Sequence, residues 1–309
     1  MRENHEIAHR SRPERDKSVR RFAIAGNEVE APPLASGLYL VATPIGNLRD
    51  ITLRALEVLA SADVIACEDT RVTRKLLDHY AIATPLTPYH DHNAAAARPK
   101  LLARLAAGES VALVSDAGTP LISDPGFKLV RAAREAGHMV TAVPGASAAL
   151  AALIVAGLPS DRFFFEGFLP AKEGPRRARI AELARIPATL VLFESGPRLL
   201  RTLSDLAAGL GAREAAICRE LTKFHEEVRH GELAQLAHNY TNGAETRGEI
   251  VIVIAPPSVE VDTVDADTID ALLRRALDRT SVKDAVGEIA AATGRPRREI
   301  YQRALALKQ

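Results

Sequence analysis

Residues 38–67, LYLVATPIGNLRDITLRALEVLASADVIAC, carry the alternation of elements that decides the fold. The apolar run Leu38–Ala42 is typical of a buried strand, and Val64–Cys67 is a second run of the same kind. Between them, Asp50 can cap a helix that has leucines at every third residue from Leu53 onward. A strand, a helix and a strand in this order favour a largely parallel sheet covered by helices, which is an α/β fold.

The same alternation continues along the chain and then starts again. The first half has further predicted elements at Val111–Ser115, Gly126–Glu135, Met139–Val143 and Ala146–Ala156, of which the second and the fourth are helices. The second half has predicted strands at Phe163–Phe165, Thr189–Phe193, Ala215–Arg219 and Ile250–Ala255, with helices around Arg176–Arg185 and from about Pro197. The sequence therefore predicts two α/β domains, over residues 36–150 and 151–257.

Residues 1–35 differ from the rest because they are dense in both charges and lack the apolar core of a signal peptide. This composition predicts a disordered N-terminal tail. A basic arm that binds RNA is one interpretation of the tail, and a solvated extension, favoured by the mixed charge, is the other.

Residues 265–309 predict a small helical module behind an acidic, proline-flanked linker at Val259–Asp267. The expected helices are Asp267–Asp278, a second one that Ser281 and Asp284 can cap, and Arg297–Leu307. The last two flank a turn at Gly294 and resemble a helix-turn-helix. From Ser281 onward there are six basic and three acidic residues. We therefore expect RNA phosphates to bind at Arg295, Arg297 and Arg298, with a solvated packing face as the alternative.

The composition of the 309 residues excludes several classes of protein. With 40 basic and 39 acidic side chains, the net charge of +1 excludes a polycation that coats nucleic acid by charge alone. Aromatic residues make up 4% and Trp is absent, which disfavours a sheet that stacks bases on rings. Two cysteines cannot form a disulfide framework or a four-thiolate zinc site, so we expect a cytoplasmic protein without a structural metal.

Familiar nucleotide and metal signatures are missing from the sequence. No Gly-Lys pair exists for a Walker A loop, and Gly209-Leu210-Gly211 lacks the third glycine of a dinucleotide fingerprint. The histidines of the segment 225–230 are five residues apart, whereas zincin histidines are four apart. His90 and His92 could pair on a metal, but without a nearby thiol a surface loop is the favoured interpretation.

Three loops rich in glycine and proline follow predicted strands. They are Thr43–Asn47, Ser115–Gly126 and Pro144–Ser147. In open α/β sheets, small molecules bind in the crevice beyond the carboxyl ends of the strands. Tight turns use the same residue types, so a single loop of this kind would be weak support. Three such loops predict a small-molecule site, and none has the form that cradles an anion.

Polar clusters follow strands in both halves. Glu68-Asp69-Thr70-Arg71 comes after Val64–Cys67, and residues 219–223, RELTK, come after Ala215–Arg219. Such clusters at strand ends are candidates for catalytic groups. The alternative for the first cluster is that Asp69 or Thr70 caps the next helix while Arg71 pairs with an acid.

Taken in order, these segments resemble a known family. The segments are LYLVATPIGNLRDIT, CEDTR, LVSDAGTPLISDPG, VPGASA, LFESGPR, RELTK and GEIVIVI. They resemble the ribosomal RNA small subunit methyltransferase I family, one of the tetrapyrrole-methylase-like, class III S-adenosylmethionine-dependent methyltransferases. The resemblance extends from about Gly37 to Ala255 and includes the terminal helices, and CEDTR and SDAGTPLISDPG are its most specific motifs. The N-terminal tail has no counterpart in the family pattern.

The resemblance implies two α/β domains of the tetrapyrrole methylase type with S-adenosylmethionine in the cleft between them, a C-terminal helical module, and a homodimer. It also implies 2′-O-methylation of a cytidine ribose in the decoding region of 16S ribosomal RNA. The implied cofactor-binding residues are Thr43, Pro44, Gly46, Asp116, Ala117, Gly118, Thr119, Ser147, Ala148, Phe193, Gly248 and Glu249. Strand-end loops without phosphate-binding features suit a neutral adenosine and a sulfonium.

Methyl transfer to a ribose predicts a general base or a cation beside the hydroxyl. A sulfonium methyl is already electrophilic, so alignment is the main task, but a 2′-OH is a poor nucleophile at neutral pH. Asp69, Glu68 and Glu220 are the candidate bases. Arg71 and Lys223 could hold the neighbouring phosphate or lower the pKa of the hydroxyl, and Asp69 with Arg71 is the preferred pair.

The RNA, expected within the small ribosomal subunit, would be held by the terminal helices and by arginines on the cleft rim. These are Arg176, Arg177 and Arg179. One alternative function is a precorrin-type methyltransferase that acts on a flat macrocycle. The other is a ribosome-assembly factor without catalytic activity, which the absence of S-adenosylmethionine binding would indicate.

Overall fold

The computed structural model describes residues 20–123, 126–241, 247–257, 266–293 and 295–307. Some expectations lie outside the described residues: the charged segment before residue 20, Asp124 and Pro125 of the second loop, residues 259–265 of the linker, and Gly294. The chain divides into two compact units, Met1–Pro256 and Pro257–Gln309. None of the described helices is long and apolar enough to span a membrane.

The N-terminal segment forms an antiparallel hairpin of β1 (Arg21–Ile24) and β2 (Asn27–Glu30), so the predicted disorder over residues 1–35 is wrong for residues 21–30. Phe22 is 2% exposed and joins the core of the first sheet. Arg20 donates hydrogen bonds to the carbonyls of Ser61 and Ala62. The charged composition concealed this hairpin, because its stability comes from packing on a distant helix and not from its own sequence.

The first sheet has five parallel strands in the order β5-β4-β6-β3-β7. Its strands are β3 (Gly37–Val41), β4 (Val64–Cys67), β5 (Leu86–Pro88), β6 (Ser110–Val114) and β7 (Val140–Val143). Its helices are α1 (Leu53–Ser61), α2 (Thr70–His79), α3 (Ala94–Ala106) and α4 (Phe127–Glu135). The predicted α/β fold is confirmed here. Thr52, not Asp50, caps α1, since its side chain accepts from the N–H of Ala55.

The second sheet is mixed, in the order β11-β10-β12-β9-β8, and only β8 and β9 run parallel. Its strands are β8 (Phe163–Phe168), β9 (Thr189–Ser195), β10 (Glu214–Arg219), β11 (Glu227–Glu232) and β12 (Glu249–Ile254). The helices are α5 (Ala148–Val155), α6 (Glu173–Leu183), α7 (Leu199–Leu210) and α8 (Leu233–Thr241). The predicted boundary at residue 150 falls inside α5, whose buried face packs against the second sheet through Leu153.

Two buried cysteines lie in the strands of the two sheets. Cys67 ends β4 and is 0% exposed, and Cys218 lies in β10 and is 1% exposed. Burial raises the pKa of both thiols, that of Cys218 to about 11. Both are therefore neutral core residues.

The described residues of the C-terminal unit form three helices around their own core. They are α9 (Ala266–Leu277), α10 (Val282–Thr293) and α11 (Arg297–Ala306), and Leu273, Ile289 and Ile300 are buried between them. The predicted cap of α10 is confirmed, because Ser281 Oγ accepts from the N–H of Asp284 and donates to its carboxylate at 2.7 Å.

Candidate active site

A cavity of about 310 Å³ opens beyond the carboxyl ends of the strands of the first sheet, within residues 1–256. One wall consists of the loops that follow β3, β6 and β7, and the other consists of the ends of β8 to β10 and the start of β12. Nine expected cofactor residues line it: Asp116, Ala117, Gly118, Thr119, Ser147, Ala148, Phe193, Gly248 and Glu249. Its volume lies at the lower end of the range of small-molecule sites.

Thr43, Pro44 and Gly46 are outside the lining, and Thr43 instead shapes the wall. The backbones of Thr43 and Gly118 exchange two hydrogen bonds, of 2.9 and 3.0 Å. The hydroxyl of Thr43 donates to the carbonyl of Ser115 at 3.1 Å. The loop after β3 thus fixes the loop after β6 against the cavity.

Gly46 marks a close approach between the loops of the two sheets. A Cβ at this position would clash with Cγ of Lys223 and would lie 2.9 Å from Oγ1 of Thr222. The glycine of the TPIGN motif therefore lets the loop after β3 contact the loop after β10.

Aromatic rings form the apolar part of the wall. Phe193 packs edge-on against Phe165 and Phe168, with ring centroids 5.0 and 5.6 Å apart. Phe168 and Phe193 face the cavity together with Ile45 and Leu221. Phe168 was not expected at the site, although the concentration of rings in the run FFFEGF of β8 was a signal for it.

A buried carboxylate in the LFESGPR motif, to which the sequence assigned no role, supports this wall. Glu194 is 2% exposed and accepts hydrogen bonds from the hydroxyl of Thr202 at 2.6 Å and the N–H of Ser195 at 2.8 Å. Arg198 lies 3.1 Å from the same carboxylate. A buried charge with this many partners is stable, and it fixes the turn at the end of β9.

Asp69 caps helix α2, which is the alternative that the sequence left open. Its carboxylate accepts from the N–H of Arg71 at 2.8 Å and forms an ion pair with the Arg71 guanidinium at 2.6 Å. These bonds lower the pKa of Asp69 to about 2. A carboxylate of such low pKa is a weak base at neutral pH. The backbone N–H of Asp69 donates to Asp116 at 3.0 Å and so reaches the cavity wall.

Glu220, Lys223 and Glu249 form a cluster at the cavity. Nζ of Lys223 lies 2.9 Å from carboxylate oxygens of both Glu220 and Glu249, and Glu249 lines the cavity. Burial works to raise the pKa of Glu220, but the N–H of Glu249 and the ammonium of Lys223 outweigh it and lower the pKa. Burial works to lower the pKa of Lys223, but the two carboxylates outweigh it and raise the pKa. Lys223 therefore stays a cation at neutral pH.

The arginines expected on the cleft rim are tied to carboxylates. Arg176 is buried and pairs with Asp205 at 2.6 Å, so the expectation that it contacts RNA is wrong. Its burial follows from its place on the inner face of α6, where Ile180 and Leu183 are also buried. Arg177 is exposed and also pairs with Asp205. Arg179 forms ion pairs with Glu166 and Glu182.

In the C-terminal unit, Arg297 and Arg298 are exposed at the start of α11. Arg295 pairs with Glu299 at 2.9 Å. Glu68, the remaining catalytic candidate, is exposed at the end of β4.

Residues 37–237 match the family model of tetrapyrrole (corrin/porphyrin) methylases. The chain belongs to this tetrapyrrole methylase family. A second model, described as the RsmI C-terminal HTH domain, matches residues 262–308 and so covers α9, α10 and α11.

Curated relatives place this tetrapyrrole methylase within the ribosomal RNA small subunit methyltransferase I group, as the motifs indicated. The protein of that name from Mesorhizobium japonicum is 51% identical over 286 residues, covering 92% of this chain and 97% of the relative. The protein of that name from Escherichia coli O157:H7 is 45% identical over 272 residues, covering 87% of this chain and 94% of the relative. Identity of this degree over most of the chain shows that this protein is a methyltransferase.

Solved structures share the fold at low identity. Uroporphyrin-III C-methyltransferase from Thermus thermophilus, complexed with S-adenyl homocysteine, is 22% identical with a TM-score of 0.51 and covers 71% of this chain and 97% of its own. Diphthine synthase is 17% identical with a TM-score of 0.56, and the match covers 71% of this chain and 89% of diphthine synthase.

Proposed function

We propose that the chain transfers a methyl group from S-adenosylmethionine to the 2′-oxygen of a cytidine ribose in the decoding region of 16S ribosomal RNA. One observation carries the proposal: loops whose motifs resemble those of the small subunit methyltransferase I family line a single cavity, in a chain that is 51% identical to a relative of that name. With ribosomal RNA as the substrate, the protein would act in the cytoplasm.

The cavity fits S-adenosylmethionine in size and in chemistry. Phe168 and Phe193 offer flat apolar faces for an adenine, and the Asp116 carboxylate can accept from a hydroxyl or an amine. Ala117, Gly118 and Ala148 have a small side chain or none, so a ligand in the cavity can approach their backbone closely. The bound cofactor supplies an electrophilic methyl group on its sulfonium.

Of the five catalytic candidates, Lys223 and Glu220 have the best placement for chemistry. Lys223 is a cation bonded to Glu249 in the cavity wall, so it can stabilise negative charge on a ribose oxygen that enters there. Glu220 holds Lys223 in place. Asp69 acts as a positioning residue, since it caps α2 and orders Asp116 through its N–H.

Exposed arginines in both units offer contacts for RNA phosphates. Arg71, at the start of α2, has 87% of its side chain exposed although it pairs with Asp69. Arg297 and Arg298 play the same part at the start of α11, where the helix dipole adds to their charge.

A homodimer is favoured by helix α5, whose sequence AALAALIV contains no charged residue. Leu150 and Ile154, four residues apart on one face, are 51% and 76% exposed. A helix face of this kind on a monomer marks a protein interaction site, and we propose a second copy as the partner.

Mass spectrometry of 16S ribosomal RNA from cells that lack this gene tests the function. We expect 2′-O-methylcytidine to disappear from the decoding region, to return with the wild-type gene, and not to return with a Lys223→Met variant. Persistence of the modification in the deletion strain would contradict the proposal.

A further inference from the structure

The ring of Phe224 is almost fully exposed, at 96%. Within the described part of the chain, no other large apolar side chain is as exposed. Phenylalanine is among the residue types most often buried, and an exposed ring forgoes the free energy of burial. An exposed ring of this kind indicates a contact with another molecule.

The loop that carries Phe224 is held rigidly. Glu220 donates its N–H to the carbonyl of Glu249, and Lys223 donates its N–H to the carbonyl of Glu220, both at 3.0 Å. Thr222 donates its N–H to the Glu226 carboxylate at 2.6 Å. Glu220 and Thr222 have φ of 52° and 66°, a strained conformation for residues other than glycine. The ring therefore projects from a preorganised loop and not from a mobile one.

This loop lies at the rim of the cavity, where loops from both sheets meet. Leu221 lines the cavity, and Lys223 binds the cavity residue Glu249 and packs against Gly46. Phe224 is the next residue in the chain. It thus stands beside the cluster to which we assign the reacting hydroxyl.

Resting on the proposed function, we propose that Phe224 stacks on a nucleobase of the ribosomal RNA and so positions the target ribose at the cavity. A nucleotide that reacts in a pocket must leave its own stack, and an aromatic ring replaces the lost stacking. His225 lies edge-on to Phe224 with centroids 5.0 Å apart, which helps to orient the ring. The low aromatic content of 4% disfavours a sheet that stacks bases but is compatible with one such ring.

The surroundings of Phe224 favour a base over an apolar protein partner. Its chain neighbours are Lys223, His225 and Glu226, so the ring stands alone among polar groups and forms no apolar patch with them. Protein interfaces need a contiguous patch, whereas stacking needs only one flat face.

The test compares Phe224→Ala, Phe224→Leu and Phe224→Trp in methyl transfer to small subunits purified from cells lacking the gene, with labelled S-adenosylmethionine. Ala and Leu should lower kcat/KM for the subunit by roughly 5- to 150-fold, because base stacking on an aromatic residue contributes that much. Trp should retain activity, since it keeps a flat ring. Phe163→Ala is the matched control, an exposed ring at the opposite end of strand β8 from the cavity residue Phe168. Calorimetric affinity for S-adenosylmethionine should be unchanged in every variant.

Several outcomes would overturn the stacking role. Wild-type activity in Phe224→Ala would show that the ring has no role in methyl transfer. Wild-type activity in Phe224→Leu would show that any apolar side chain suffices at this position and that stacking is not needed. Dissociation of Phe224→Ala into monomers, with activity restored at high protein concentration, assigns the ring to a contact between copies. A wild-type protein that transfers no methyl group to the subunit refutes the proposed function itself, and the stacking role with it.

Discussion

At the scale of single residues, Asp69 shows how a cap and a catalytic base can be told apart. Asn caps helices as well as Asp does, whereas Ala does not cap them. Asp69→Asn should therefore retain most methyl transfer, and Asp69→Ala should lower the melting temperature and the activity together. Activity assays and thermal unfolding of the two variants provide the measurement. Equal and complete loss of kcat in both, with the Asn variant still stable, would make Asp69 the base.

Lys223 carries the second prediction at this scale. Lys223→Met keeps the length of the side chain beside Gly46 but removes the charge, so kcat should fall by about 10²-fold or more, as when one oxyanion donor is lost. The calorimetric affinity for S-adenosylmethionine serves as the control and should not change. An unchanged kcat would remove Lys223 from the chemistry.

The motif residues that line the cavity were predictable from the sequence, whereas the buried ion pairs that hold the surrounding elements in place were not. Asp116 and Gly118 follow strands in recognisable loops, so the sequence alone placed them at the site. Arg176 pairs with Asp205, 29 residues away in the chain, whereas the partners of Glu194 lie within eight residues of it and are brought together only by the turn between β9 and α7. Nothing in the local pattern distinguishes a buried ion pair such as Arg176–Asp205 from a solvated charge.

At the scale of elements, strands with consecutive apolar residues were found from the sequence, and β4 has the predicted limits Val64–Cys67. The strands that were missed lie at edges. Strand β5 is the short segment LTP and β11 is the polar EVRHGE, and both are end strands of their sheets. An edge strand buries less, so it carries less of the apolar signal that sequence analysis uses.

The hairpin β1-β2 provides the prediction for this scale. Phe22→Ala should cost about 3–5 kcal/mol of unfolding free energy, because it empties a fully buried site against α1. Val29→Ala, on the exposed strand of the same hairpin, is the matched control and should change little. Urea unfolding measures the free energy of unfolding of both variants. A loss for Phe22→Ala as small as that for Val29→Ala would show that the hairpin is not part of the core.

At the scale of the whole molecule, the C-terminal unit should serve RNA and not the cofactor. Deletion of residues 265–309 should weaken binding to small subunits and leave S-adenosylmethionine affinity intact. The double variant Arg297→Ala, Arg298→Ala should reproduce part of that loss and reduce its salt dependence. Arg274→Ala with Arg275→Ala, which removes the same charge from α9, is the control. Equal subunit affinity after the deletion would contradict this role.

The proposed dimer predicts that helix α5 forms the contact between the two copies. Ile154→Asp places a charge on the apolar face of α5, so the dimer should dissociate to monomers at micromolar concentration. Sedimentation velocity gives the oligomeric state, and Leu150→Asp should act in the same way. A wild-type protein that is monomeric throughout would remove the proposed interface.

The burial of both cysteines opens a practical route to watching this enzyme at work. Cys67 and Cys218 are inside the two sheets with their thiols held in the protonated, unreactive form. A single cysteine introduced on the surface, for example in place of Arg274, would then be the one fast-reacting thiol among the described residues. Fluorescent dyes could be attached there without first removing the native cysteines, and the binding to small ribosomal subunits that the proposed function predicts could be followed in real time.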